Sequence, residues 1–541
     1  MATHDFTIIN ADGKTVREDI EAALKALATN SSNSSDPATT YASQFFANTS
    51  TNLMRLRNTG NGDFVDLFTL AGGPAFTAGG TIEGLNIGKG ANAVTGNTAF
   101  GLDALDGSVS GGNNTCLGNK TLTTLTSGNQ NVAVGSFALD LLTEGSNNTG
   151  CGYNVLTDLT TGTNNSAFGS GALVEISTAE ANCAFGVAAL ANSNADKNCG
   201  FGTSALNQNT EGVRNCAFGD NALFSNTDGD FNCAFGANAL FANKTGVQNI
   251  AIGTFALDAC EDADNCTAIG HATLGAVTTG HSNTGCGFNA LHLTTTGIQN
   301  SAFGGSSLKK NTTGQNNTAC GVQTLFNNTE GDGNVAVGVN ALFNNTLGGS
   351  NTALGKGALF TCSTGSDNTA VGLNALNILT DGVRCTAIGE EAGDLNTTGD
   401  DNIFLGHNAQ ASTATVNGEC ILGDSGIATL RCNTQTINSL SDKRDKTDIQ
   451  SIPVGLSFID KLNPVKFKWQ TRDGNRKDGT YEAGFIAQDL QQVQQDASAD
   501  FLHLVLAENP DKLEASYGRL VPVLVKAVQE LSAKVTALEA L

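Results

Sequence analysis

A glycine closes the pattern N-x-A-x-G twenty times between Gly101 and Gly423. Each occurrence follows the last by 17 residues, except for one step of 16 between Gly186 and Gly202. A unit of that length cannot bury a hydrophobic face alone, so it must stack on its neighbours. The pattern alternates with period two and reads as a short strand. In Asn249-Ile-Ala-Ile-Gly-Thr-Phe-Ala-Leu257, Ala251 and Gly253 fall on one face, and Ile250 and Ile252 on the other. Small residues on one face imply that something approaches closely there. Ala256 and Leu257 form a second apolar piece, and connectors such as NTTG and NNTEGDG are turn formers. Asn at equivalent positions predicts hydrogen-bonded ladders along the stack. At about 4.8 Å per rung, the coils predict a rod on the order of 90 Å long.

Composition narrows the alternatives. Hydrophobic residues make up 40%, too many for a disordered chain. The 65 Gly have no G-X-Y period, which excludes collagen. A net charge of −23 argues against a nucleic-acid partner, which needs a basic face. No apolar run approaches the roughly 18 residues of a membrane span. The start MATHDFTIINADGKTVRED lacks the features of a signal peptide, so no membrane insertion and assembly in a cytoplasm are expected. The 14 Cys form no CxxC and no ligand pattern with His, so neither a metal nor another cofactor is expected, and disulfides are not expected either. Cys183, Cys216 and Cys233 follow the pattern Asn, and Cys116 takes the Ala position; all four read as small core residues.

The ends differ from the middle. Residues 441–541 hold 13 Lys/Arg and 15 Asp/Glu, an ordinary balance, and contain the single Trp, Trp469. Near the start, Thr15 to Ala28 reads as a capped amphipathic helix with a stripe of Ile20, Ala23, Leu24 and Leu27. Gln44 to Ala47, Leu53 to Arg57 and Asp63 to Leu70 alternate as strands. At the far end Leu524, Ala527, Leu531, Val535 and Leu538 recur at three and four, a coiled-coil seam too short to stand without a partner.

Three resemblances add to this reading. The N-x-A-x-G units resemble β-roll repeats in the heads of trimeric autotransporter adhesins and Gly/Asn-rich repeats of phage fibres. The stretch SSDPATTYASQFFANTSTNLMRLRN resembles the N-terminal segments of tail-fibre-like proteins of marine phages, which implies a virion-attachment end. Ser441-Asp-Lys-Arg-Asp-Lys446, Gly455 to Pro464, Phe467-Lys-Trp469 and Gly484-Phe-Ile-Ala-Gln-Asp489 resemble the endosialidase-type intramolecular chaperone, a self-cleaving tail-fibre peptidase. That resemblance implies Ser441 as nucleophile, Lys446 as base and Leu440–Ser441 as the scissile bond. A Lys can act so only when neutral, and Arg444 is expected to favour that form, opposed by Asp442 and Asp445.

The fold class expected is mainly β: an elongated trimeric β-helix or β-roll shaft, a small α+β N-terminal domain and an α+β chaperone ending in a coiled-coil helix. The expected divisions are 1–75 for virion attachment, 76–96 as linker, 97–423 as shaft, 424–440 as distal junction and 441–541 as chaperone. The function expected is a homotrimeric phage tail fibre, carried on the virion, that docks on a tail or other virion protein and engages a host receptor. A surface polysaccharide or outer-membrane component fits that receptor, with loops near 407–440 as the contact and the connectors along the shaft as the alternative. The alternatives are a capsid- or neck-attached fibre that retains its chaperone, and a polysaccharide-degrading tailspike. A tailspike needs paired carboxylates beside aromatic platforms. The repeats hold no Trp and one Tyr, Tyr153, and the pairs Glu390-Glu391 and Asp400-Asp401 sit in connectors and read as solvated turns.

Overall fold

The computed structural model describes residues 45–48, 53–57, 64–69, 80–82, 85–90, 92–424, 426–427, 431, 441–470, 479–507, 510–511 and 513–540. The expected helix over 15–28 lies outside the described residues, as does most of the 424–440 junction. The chain divides into two compact units, Met1–Ser301 and Ala302–Leu541.

In the first unit β1 (Phe45–Asn48), β2 (Leu53–Arg57) and β3 (Phe64–Thr69) make an antiparallel sheet in the order 1-2-3. The hairpin of β4 (Gly80–Ile82) and β5 (Leu85–Gly88) pairs antiparallel with β6 (Thr98–Leu102). From β6 onward the pairing is parallel and strictly in register, one strand per coil, through β7 (Thr115–Leu117) to β17 (Thr284–Cys286). β18 (Ser301–Phe303) spans the unit boundary. In the second unit the same ladder runs from β19 (Thr318–Cys320) to β25 (Cys420–Leu422). The chain is therefore mainly β, built as a β-solenoid. The short coil keeps register, with Cys183 opposite Cys199, because its missing residue falls in the turn between Ser193 and Asn198.

Each coil has a narrow interior. Asn249, Ala251, Ala256, Leu257 and Cys260 are fully buried, whereas Ile250 and Ile252 point outward and are exposed. The expected Asn ladder is present. Asn334 takes Asn317 Oδ1 on its backbone N–H at 2.9 Å and donates Nδ2 to Gly348 O at 2.9 Å; Asn351 repeats this one coil on. Two coils replace the Asn with a thiol that keeps the donor role: Cys266 donates to Gly280 O and Cys385 to Gly399 O. A second ladder, not foreseen, links Asn209, Asn226 and Asn243, and again Asn311, Asn328 and Asn345.

The tight turns need unusual backbone. Gly253 has φ +134°, and a Cβ there would lie 2.6 Å from the carbonyl oxygen of Gly270 in the next coil. The close approach inferred from the small residues is therefore backbone to backbone. Leu257 also has positive φ, 52°. That conformation costs an L-residue about 1–2 kcal/mol, and burying the Leu side chain returns about 1.5–3 kcal/mol, so burial wins.

Cys116 is buried as expected, but Cys183, Cys216 and Cys233 are not core residues. They sit half-buried on the outward side of their strands, opposite the buried Ala. The connector carboxylates also have partners. Asp230, Asp264, Asp332 and Asp400 each accept a backbone N–H from the preceding coil at 2.6–2.9 Å. These four carboxylates thus serve coil-to-coil bonding.

The second unit also holds the C-terminal elements. A 3₁₀ turn (Lys443–Asp445) precedes α1 (Leu456–Ile459), the hairpin of β26 (Val465–Phe467) and β27 (Glu482–Gly484), and α2 (Ala487–Asp496). The pair β28 (Val505–Leu506) and β29 (Glu514–Ala515) and the long α3 (Val521–Glu539) follow. Their core gathers Phe458, Ala499, Leu502, Leu504, Leu520 and Val523. Glu530 of α3 accepts from Leu456 N at 2.8 Å, which caps α1 and ties the two helices. Among the described residues no helix is long and apolar enough to cross a membrane.

Candidate functional site

The run Ser441 to Lys446 has no buried side chain, so local bonding shapes it. Asp442 caps the 3₁₀ turn by accepting from Arg444 N at 2.8 Å. Asp445 N and Lys446 N donate to the carbonyls of Asp442 and Lys443. The turn folds the chain back within five residues, and Lys446 Nζ donates to Ser441 Oγ at 2.5 Å. The structure thus brings the two side chains expected to react into direct contact. Leu440, the expected residue on the other side of the scissile bond, lies outside the described residues.

Arg444 does not play the part expected of it. Its guanidinium grips Asp442, with Nη2 at 2.6 Å and Nε at 3.1 Å from the carboxylate. This pair holds the Asp442 carboxyl below the usual carboxylate range and raises Arg444. Two of the charges expected to act on Lys446 are therefore paired with each other.

Hydrogen bonds between separate elements brace the rest of the domain. Tyr517 OH accepts from Phe485 N at 3.1 Å, and Gln494 Oε1 accepts from Leu504 N at 2.7 Å. Tyr517 also stands edge-on to Phe485. These braces were not read from the sequence, since nothing in local spacing links residues this far apart.

The expected helix seam is altered by packing. Ala527 is buried against its own domain, while Leu524, Val528, Leu531, Val535 and Leu538 are exposed. These five follow one another at four, three, four and three residues. Elsewhere, the acidic pair at Asp400-Asp401 is committed to structure: Asp401 binds Arg384 at 2.6 Å, and Asp400 accepts from Val383 N.

A family model described as the chaperone of endosialidase matches residues 441–498. The match opens on Ser441 and includes Lys446, α1, the β26–β27 hairpin and α2. A search of curated proteins and a search of solved structures each returned no match.

Proposed function

We propose that this chain is a homotrimeric tail fibre whose C-terminal domain templates assembly and then cuts itself away at the Leu440–Ser441 bond. The observation that carries the reading is the 2.5 Å bond between Lys446 and Ser441, at the start of the segment that matches the chaperone of endosialidase. Such a domain behind a β-solenoid is the plan of a tail-fibre or tailspike type of protein.

The chemistry follows from the position of the nucleophile beside its own peptide bond. Ser441 Oγ attacks the carbonyl carbon of residue 440 while its proton passes to Lys446 Nζ. The C–N bond breaks, the Ser441 amine takes a proton, and an ester remains. Water then hydrolyses that ester, freeing the carboxylate of residue 440 and restoring the hydroxyl. Lys446 must be neutral to begin. In the single chain the pair is exposed and the amine donates to the hydroxyl. Withdrawal from water on assembly would favour the neutral amine, which ties cutting to completion of the trimer.

The trimer is supported by the exposed seam on α3 and by the apolar outward face of the strand ladder, where Phe100, Leu117, Ile252, Ile269, Leu354 and Ile388 are exposed. Residues 1–75 would dock on a virion protein, and the shaft would carry the contact with a host receptor.

The test is expression of the full chain beside Ser441→Ala and Lys446→Met. The wild type should release a fragment of 101 residues beginning at Ser441. Either variant should slow that release at least about a hundredfold, the scale of a lost general base. Light scattering should give three chains per particle. Wild type and Ser441→Ala running alike on a denaturing gel, or a monomeric mass, would overturn the reading.

A further inference from the structure

Four consecutive coils of the first unit carry Cys at the same outward strand position: Cys183, Cys199, Cys216 and Cys233. All four are free and half-buried. The column holds Ser166 on one side of this run and Ile250 on the other. The same four strands end in Phe185, Phe201, Phe218 and Phe235, whose rings stack nearly parallel at 4.7, 4.7 and 4.6 Å. The ring row runs beside the thiol row, about 6.6 Å away along the strands. Cys199 stands between Cys183 and Cys216 in the column.

The spacing decides what such a row can do. In an in-register parallel ladder Cβ atoms repeat at the rung distance, which the rings set near 4.7 Å. A disulfide needs Cβ atoms about 3.8 Å apart, so adjacent rungs are too far apart to oxidise without strain. A metal–thiolate bond is about 2.3 Å, so two such bonds span about 3.8 Å at a tetrahedral angle and about 4.6 Å in line. With one rotamer repeated along the column the sulfurs share the rung spacing, and the linear arrangement matches it. Among the described residues no three His, Cys, Asp or Glu side chains converge as a metal cage.

We infer that the row from Cys183 to Cys233 binds a soft, two-coordinate monovalent cation of the Cu(I) class, held in line between thiolates of adjacent coils. Thiolate sulfur selects such ions over hard cations. Each ion bound between two thiols displaces two protons to solvent and leaves a bis-thiolate bridge with one negative charge. No electron is transferred. A thiol must lose its proton to bind the metal, so binding releases protons. The phenyl row covers one flank of the bridge and limits its exposure to water.

The experiment uses the full-length protein, Cu(I) supplied without oxygen, and a competing chelator. Cys199→Ser/Cys216→Ser removes two thiols and leaves the remaining pair three rungs apart. Cys183→Ser/Cys233→Ser also removes two thiols but leaves an adjacent pair. Ser already occupies the column at Ser166, so both variants should fold. Wild type and the outer double variant should hold Cu(I) against the chelator. The inner double variant should hold it about 100-fold more weakly, the scale of a lost second donor. Equal retention by the two double variants, or no retention by wild type, would overturn the inference.

Discussion

Asn334 bonds to the coils on both sides of it. Its Nδ2 donates to Asn317 Oδ1 in the coil before and to Gly348 O, and its Oδ1 accepts from Asn351 N in the coil after. These partners lie inside the coil, where an unmet polar group costs about 1–3 kcal/mol. Asn334→Ala should therefore destabilise the solenoid by roughly 2–5 kcal/mol, read as a lower denaturant midpoint; an unchanged midpoint would mean the ladder contributes nothing. The buried thiols make a second test. Burial pushes Cys116, Cys260 and Cys362 up to about 12 from 9.0. The folded chain then holds protons that the unfolded chain releases. Stability from this source is full below about pH 9 and is lost between pH 9 and 12. Each thiol contributes a slope of at most about 1.4 kcal/mol per pH unit. Cys116→Ala puts the usual residue of that column in place and should flatten the alkaline decline, measured as midpoint against pH. The Asn ladder was legible because its period is unbroken over many coils. The facing of Cys183 was not, because a three-residue strand with small apolar residues on both faces does not declare which face is inside.

At the scale of the element, α3 shows how packing chooses between faces that share a spacing. Leu524 and Leu531 can be joined through Ala527 or through Val528, and both series step by three and four. The core decides: Ala527 is buried beside Val523, and Val528 is left exposed with Leu531, Val535 and Leu538. Val528→Glu should thus abolish self-association and leave the domain folded. Light scattering would give a monomer, with the helical signal lowered only modestly, since Val523 and Ala527 stay buried against the helix's own domain. Persistence of the oligomer would place the seam elsewhere. The connectors carry a similar lesson. Their Asp residues look like solvent-facing turn formers in sequence, and only the stacked coil reveals the backbone N–H that Asp230, Asp264, Asp332 and Asp400 receive from the coil before them. The β-solenoid class and the strand positions were legible from period alone. The tight reach of Lys446 back to Ser441 was implied only by family likeness, because a run of exposed charges does not specify a 3₁₀ turn.

For the whole molecule, the regularity that makes the shaft stable also makes it ambiguous. The coils present similar outward strand faces, drawn from Thr, Ser, Val, Ile, Leu, Cys and Phe. Three such chains slipped by one 17-residue unit would keep almost all of their mutual contacts, so the energy gap to the correct alignment is a small fraction of the total. Folding cannot select the register from the shaft alone and needs a fixed end from which coils add in order. A domain with a core of its own and an exposed helical seam can supply that end. On the proposed reading, the template is no longer needed once three shafts have closed, and its removal would leave a fibre with no aligned route back from the unfolded state. Recovery after denaturation should therefore depend on whether the domain is still attached. Full-length Ser441→Ala, unfolded and diluted, should regain uniform trimers. The cleaved wild-type fibre, and residues 1–440 made alone, should return as aggregates or as particles of mixed alignment. Equal recovery of uniform trimers from all three would mean that the shaft carries its own register, and the chaperone role assigned to residues 441–541 would fall.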